Sequence, residues 1–321
     1  MPERVKIVVP GDDPEQIAGS PSLERLEPHG EVTLYGSRPA STAEKIERVA
    51  GADIIINSRA AVTWREEELR ASPKLRMIAT CSIGTDMIDL DVARELGVVV
   101  SNQPGRTAAV VAEHMFALMF AVAKRAAFQT AEIKAGRWTR ALNVMLRGKV
   151  LGVVGTGAIG AETARLAKAI GMEVIAWTFN PSEERAERLG VRFVELDDLL
   201  RAADVVSLHV KLTEATRHLI GARELALMKD DAILLNGARG DVVDMAALHD
   251  VLMSGRFTGA GLDVFPREPI GADDPIRHCE QVVLTPHAAD STPEAVELLN
   301  EGAVDNVIAF LEGRPRNNVA N

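Results

Sequence analysis

Three residues of unlike chemistry stand just beyond short apolar runs in the last third of the chain. Arg239 follows Leu234-Leu235-Asn236-Gly237-Ala238, Glu268 follows Leu262-Asp263-Val264-Phe265-Pro266-Arg267, and His287 follows Leu284-Thr285-Pro286. A guanidinium is a planar fork of donors that keeps its charge, which suits a carboxylate and the carbonyl beside it. An imidazole titrates near neutrality and passes protons. A carboxylate bonded to the second ring nitrogen favours the charged ring and orients it. Together they suit the interconversion of a carbonyl and a carbinol next to a carboxylate. In that reading Arg239 clamps the acid, His287 moves the proton and Glu268 sets His287. A purely structural Arg–Glu pair is the plainer alternative.

Such chemistry needs a hydride donor, and a second motif supplies a place for one. The run Val150–Val154 leads directly into Gly155-Thr156-Gly157-Ala158-Ile159-Gly160. Apolar residues then recur at Ile159, Leu166, Ala167 and Ile170, the spacing of an amphipathic helix, with Gly171 as its stop. The first glycine permits a tight turn, the second lets backbone approach a pyrophosphate, and the third packs helix on strand. The pyrophosphate then sits at the positive end of the helix.

A ribose 2′-hydroxyl is commonly held by an acid about 20 residues further on. Here the next run reads Val174-Ile175-Ala176-Trp177-Thr178-Phe179-Asn180, with Thr178 in that place and no acid. Asn180 bonds ribose hydroxyls without repelling a 2′-phosphate, and Arg185 is either a phosphate partner or a solvated helix charge. The choice between NAD and NADP stays open. His209 ends another run and is expected on the cofactor side, as are Ala238, Arg239, Asp263 and His287, with Asp263 accepting from the nicotinamide carboxamide. His29, His114, His218, His249 and His278 stand on loops or helices without paired acids, and no metal-ligand spacing occurs.

The elements that must position these groups alternate along the chain. β-branched runs begin at Lys6, Val32, Asp53, Arg76 and Val98, and resume at Val150, Val174, Val205, Ala232, Gly261 and Val282. Helical patterns such as Asp244–Ser254 separate them, which describes parallel sheets covered on both faces. The length of 321 residues exceeds what one core usually serves. Thr107 to about Ala127 reads as one long helix, apolar nearly all round: either a central core helix or one joining two domains and lining a subunit interface. The last helix, Pro293 to Leu311, is expected to return to the first domain. That places residues 1–101 and 291–321 in a discontinuous substrate domain and 102–290 in a dinucleotide-binding domain.

Net charge of −10 counts against nucleic acid or an anionic membrane surface as partner. The most apolar stretch, Ala108 to Ala123, carries Glu113 and His114 and is too short to span a bilayer. Cys81 and Cys279 fit no redox or metal spacing. These features lead to the expectation of a soluble, cytoplasmic protein.

Several further motifs complete a pattern. Ile83-Gly84-Thr85-Asp86, Asn102 to Gly105, Val111-Ala112-Glu113-His114 and Leu146-Arg147-Gly148-Lys149 precede the glycine loop. Ala238-Arg239-Gly240, Leu262-Asp263-Val264-Phe265, Glu268-Pro269 and Thr285-Pro286-His287 follow it. In this order, along nearly the whole chain, they resemble the D-isomer-specific 2-hydroxyacid dehydrogenases. The resemblance implies an α/β fold of two doubly wound parallel-sheet domains, a Rossmann-type cofactor domain and a flavodoxin-like substrate domain. It implies Arg239, Glu268 and His287 as catalytic, a small 2-oxo or 2-hydroxy acid as partner, NAD or NADP as cofactor, and backbone at Ile83 and Gly84 binding the substrate carboxylate. It also implies a homodimer built on the Thr107–Ala127 helix. From the residues alone, the Thr80–Asp86 segment is equally an ordinary turn. Thr178 departs from the acid of NAD-specific members, and Lys211 stands where proline is usual. A non-catalytic, cofactor-sensing protein of the same fold is the competing reading.

Overall fold

The computed structural model describes residues 4–60 and 62–320. The chain forms two compact units, one running to Thr107 and resuming at Ser291, the other Ala108–Asp290.

The first unit holds β1 (Val5–Val9), β2 (Gly30–Leu34), β3 (Ile54–Asn57), β4 (Met77–Thr80) and β5 (Val99–Ser101). They pair in parallel in the order β2-β1-β3-β4-β5, a flavodoxin-like arrangement. All residues of β3 and β4 are buried, as unbroken apolar strands require. One face of the sheet packs Ile7, Ile54 and Ile56 against Leu299, Ala303 and Val307 of the Pro293–Leu311 helix. That helix starts where Thr292 accepts from the Ala295 N–H and Pro293 fills the first turn.

The second unit holds β6 (Val150–Val154), β7 (Glu173–Trp177), β8 (Arg192–Phe193), β9 (Val205–Leu208), β10 (Ile233–Asn236), β11 (Gly259–Leu262) and β12 (Val282–Leu284). Their order is β12-β11-β10-β9-β6-β7-β8, all parallel. This is the doubly wound Rossmann order, reversing at the β6/β9 pair, and such sheets bind ligands beyond the strand carboxyl ends there. The two-residue β8 has no counterpart among the runs read from sequence, because it is too short to show a pattern.

The long helix expected from Thr107 to about Ala127 is two helices, Ala108–Ala123 and Ala126–Lys134. Arg125 breaks it with a left-handed backbone, φ 47°. Its guanidinium stacks 4.7 Å from the Phe128 ring centre and pairs with Glu280, so tertiary contacts, not glycine or proline, end the helix. The first helix is sunk into the sheet. A β-carbon on Gly237 would lie 2.3 Å from Met115 Sδ, and one on Gly261 2.9 Å from Leu118 Cβ. No described helix is long and apolar enough to cross a membrane.

Candidate active site

β6 and β9 run in register, Val154 opposite Leu208, so Gly155 and His209 leave the sheet side by side. Gly155 adopts φ 98°, and a β-carbon there would meet the His209 carbonyl at 2.8 Å. A β-carbon on Gly160 would fall 2.0 Å from the Gly155 oxygen, so only glycine lets the Ala158–Ala169 helix sit this close. Gly157 differs: a β-carbon there meets nothing within 4 Å. It is the helix N-cap and has no side chain to accept the first N–H groups. Thr156 Oγ1 is buried and has no hydrogen-bond partner among the described residues. An open cradle, uncapped N–H groups and an orphaned hydroxyl fit a dinucleotide's pyrophosphate.

Around this loop, Ala158 and Ile159 begin the helix. Thr178 is half-buried at the end of β7, while Asn180 is exposed and its carbonyl accepts from Arg185 Nη1 at 3.4 Å. His209 Nε2 lies 2.9 Å from Ser207 Oγ, and burial pushes its imidazole down to about 4, so the ring is neutral at physiological pH.

The catalytic candidates leave the next three strands. At the end of β10, buried Asn236 accepts from the Ala238 N–H at 3.0 Å and donates to the Arg239 carbonyl at 2.9 Å. This pins the turn that carries Arg239, a role the sequence reading missed. Gly240 then presses on the next turn, where a β-carbon would stand 2.0 Å from the Phe265 carbonyl carbon. That turn folds back on itself, the Phe265 N–H donating to Glu268 Oε1 at 2.9 Å. Glu268 Oε2 reaches His287 Nδ1 at 2.7 Å. Arg239 acts electrostatically on both members of the pair.

These contacts set the charges. The Glu268 hydrogen bond raises the His287 pKa against the opposing effects of burial and Arg239. Burial alone would push Glu268 up, but His287, the Phe265 N–H and Arg239 together hold it below its ordinary value. The pair is therefore a carboxylate and an imidazole inclined to stay protonated, with Nε2 directed away from Glu268.

His287 has a left-handed backbone, φ 52°, and its N–H donates to the Asp263 carbonyl at 2.8 Å. The Asp263 carboxylate, fully buried, accepts from Thr285 Oγ1 at 2.6 Å, the Ala288 N–H at 2.9 Å and the Ala289 N–H at 3.1 Å. The carboxamide-accepting role read for Asp263 thus competes with three internal donors. His114, read as having no paired acid, lies 3.4 Å from Asp263 Oδ1 and 3.0 Å from Thr285 Oγ1. Spacing gave no sign of this, since both partners are far along the chain, Thr285 171 positions away.

In the first unit, the Ile83 carbonyl accepts from Asn102 Nδ2 and the Gly84 carbonyl from Ser82 Oγ, both at 2.8 Å. The Ile83 and Gly84 N–H groups donate to no group among the described residues.

A profile of the D-isomer specific 2-hydroxyacid dehydrogenase NAD-binding domain matches residues 116–289. A glyoxylate reductase of Korarchaeum cryptofilum is 40% identical over 306 residues, 93% of this chain and 92% of that protein. The crystal structure of the Aquifex aeolicus D-lactate dehydrogenase with NAD and lactic acid superposes with a TM-score of 0.84 at 30% identity, covering 98% of this chain and 99% of the other. An acyclic imino acid reductase bound to NADPH and D-Arg gives a TM-score of 0.89 at 29% identity, over 98% and 100% of the two chains. The chain belongs to the D-isomer-specific 2-hydroxyacid dehydrogenase family. Its chemistry is hydride transfer between a nicotinamide cofactor and a 2-hydroxy acid/2-oxo acid pair.

Proposed function

We propose that this protein reduces a small 2-oxo acid to the D-2-hydroxy acid, with His287 as the proton donor, Glu268 as its partner and Arg239 as the carboxylate clamp. The observation that carries the reading is the 2.7 Å contact between His287 Nδ1 and Glu268 Oε2, which leaves Nε2 as the proton-bearing atom for the substrate. A reduced nicotinamide, when bound, supplies a hydride to C2 of the substrate. His287 delivers the proton to the C2 oxygen, and in oxidation the neutral ring takes it back. Arg239 holds the carboxylate and draws charge from the carbonyl oxygen as it becomes an alkoxide. The Ile83 and Gly84 N–H groups are further donors for the carboxylate.

Gly155–Gly160 hold the pyrophosphate, with Ala158 and Ile159 at the helix start, and Thr178 and Asn180 meet the adenosine ribose. His209 and Ala238 line the same side. With Thr178 in place of an acid, no carboxylate at the end of the strand repels a 2′-phosphate, so the cofactor is NAD or NADP, and titration with NADH and NADPH decides between them. The discontinuous unit serves the substrate and the Ala108–Asp290 unit the cofactor. A homodimer is supported by an exposed apolar segment after the second helix, with Trp138 80%, Leu142 97% and Met145 69% exposed.

The test is turnover of NADH and NADPH with glyoxylate, hydroxypyruvate and pyruvate by the native protein and His287→Ala. Expected are activity in the native protein and a loss of about a thousandfold in the variant with cofactor binding retained. Cofactor binding without turnover on any 2-oxo acid would instead identify a sensor.

A further inference from the structure

His114, Thr285 and Asp263 form a hydrogen-bonded cluster that the proposed proton transfer does not use. Thr285 Oγ1 has a single proton, and the 2.6 Å contact commits it to Asp263 Oδ1. The 3.0 Å contact between His114 Nε2 and Thr285 Oγ1 therefore runs the other way, with His114 donating to the hydroxyl oxygen from a protonated Nε2. The imidazole fixes the hydroxyl, the hydroxyl fixes the carboxylate, and the carboxylate holds the N–H groups of Ala288 and Ala289. Those two residues directly follow His287, whose left-handed φ of 52° is a conformation that only surrounding contacts maintain.

The position of His114 is itself fixed. Its neighbour Met115 fills the space left by Gly237, and Leu118 that left by Gly261, so the helix has little freedom to slide. His114 is only one-fifth exposed.

We propose that His114 is a positioning residue for the turn that carries His287, acting through Thr285 and Asp263 to hold the imidazole against Glu268. The inference rests on the reading of His287 as the proton donor. Loss of the Nε2–H lets Thr285 rotate, slackens the two N–H contacts and allows the His287 backbone to relax. The ring then separates from Glu268. The charged groups facing His287 are Glu268, Arg239 and Asp263, of which Glu268 contributes most to keeping it protonated. Separation therefore shifts its titration to lower pH.

The experiment compares His114→Leu, His114→Gln, Thr285→Val, the His114→Leu/Thr285→Val double variant and His287→Ala. The readouts are pH profiles of kcat and kcat/KM for reduction and direct cofactor titration. Gln presents an N–H donor at nearly the place of the imidazole Nε2. Expected for His114→Leu is a kcat loss of about ten- to a hundredfold, as for outer partners of a functional histidine, with cofactor affinity unchanged and the alkaline limb moved to lower pH. Thr285→Val should match it, the double variant should be no worse than the poorer single one, and His114→Gln should recover most of the rate. A folded His114→Leu with native rate and limb overturns the proposal, as does a rate loss without movement of the limb. Failure of His114→Gln to rescue also overturns it. Should His114→Leu not fold, a native profile for Thr285→Val does so. Native activity in His287→Ala would instead overturn the underlying functional reading.

Discussion

Nδ1 of His287 lies 2.7 Å from Oε2 of Glu268, and this contact is the main cause of the raised imidazole pKa. Reduction uses the protonated ring, so its kcat/KM falls as pH rises through that pKa; oxidation uses the neutral ring and falls as pH drops through it. Glu268→Gln removes the charge but keeps a hydrogen-bonding group. Both limbs should move to lower pH, since the largest influence raising the imidazole pKa is removed. Reduction at neutral pH should weaken relative to oxidation. Overlapping pH profiles for native and variant protein would show that the contact does not govern proton transfer.

The glycine loop gives a contrast within six residues. Gly160→Ala drives a methyl into the Gly155 carbonyl and should cost about 3 kcal/mol or more of stability. Gly157→Ala meets open space and should leave the unfolding midpoint near native. Its methyl nevertheless enters the cradle, and cofactor affinity should drop about tenfold or more, since a loss of about 1.4 kcal/mol suffices. Thermal melts and fluorescence titration with NADH and NADPH separate the two effects.

Arg239 and Asn236 should also fail differently. Arg239→Lys keeps the charge and loses the fork, so kcat/KM for 2-oxo acids should fall about a hundredfold, the equivalent of a charge-assisted contact of about 3 kcal/mol. Asn236→Ala leaves a half-buried N–H and carbonyl without their side-chain partner and should lower stability by about 1 kcal/mol as well as activity. Steady-state kinetics beside denaturant titration distinguish the two; equal loss of stability in both would contradict the assignment.

The exposed Trp138 and Leu142 bear on assembly. Sedimentation velocity should report a dimer for the native protein and a monomer for Trp138→Glu/Leu142→Glu. A native monomer at micromolar concentration, or an intact dimer in the variant, would rule out this face as the interface.

Much of the architecture was readable because parallel sheets impose a simple rule: each apolar run ends at the same edge, and the residue after it faces the ligand side. That rule singled out Gly155, Arg239, Glu268 and His287 without any knowledge of their distances. What stayed hidden depends on contacts between distant segments. The break at Arg125 has no glycine or proline to announce it. The pairing of His114 with Thr285 and Asp263 depends on how deeply the Ala108–Ala123 helix sinks over Gly237 and Gly261, a depth that helix periodicity does not encode. Asn236 stood in the run before Arg239 with no role of its own, and only the turn geometry reveals it as the anchor of Arg239.

The abutment of Gly240 on the Phe265–Pro266 peptide has an evolutionary corollary. Because main chain meets main chain there, any side chain placed at Gly240 would force the two turns apart and displace Arg239 from Glu268. Descendants of this sequence that acquire new substrates must do so by changing other pocket walls, while the spacing of guanidinium, carboxylate and imidazole is inherited intact.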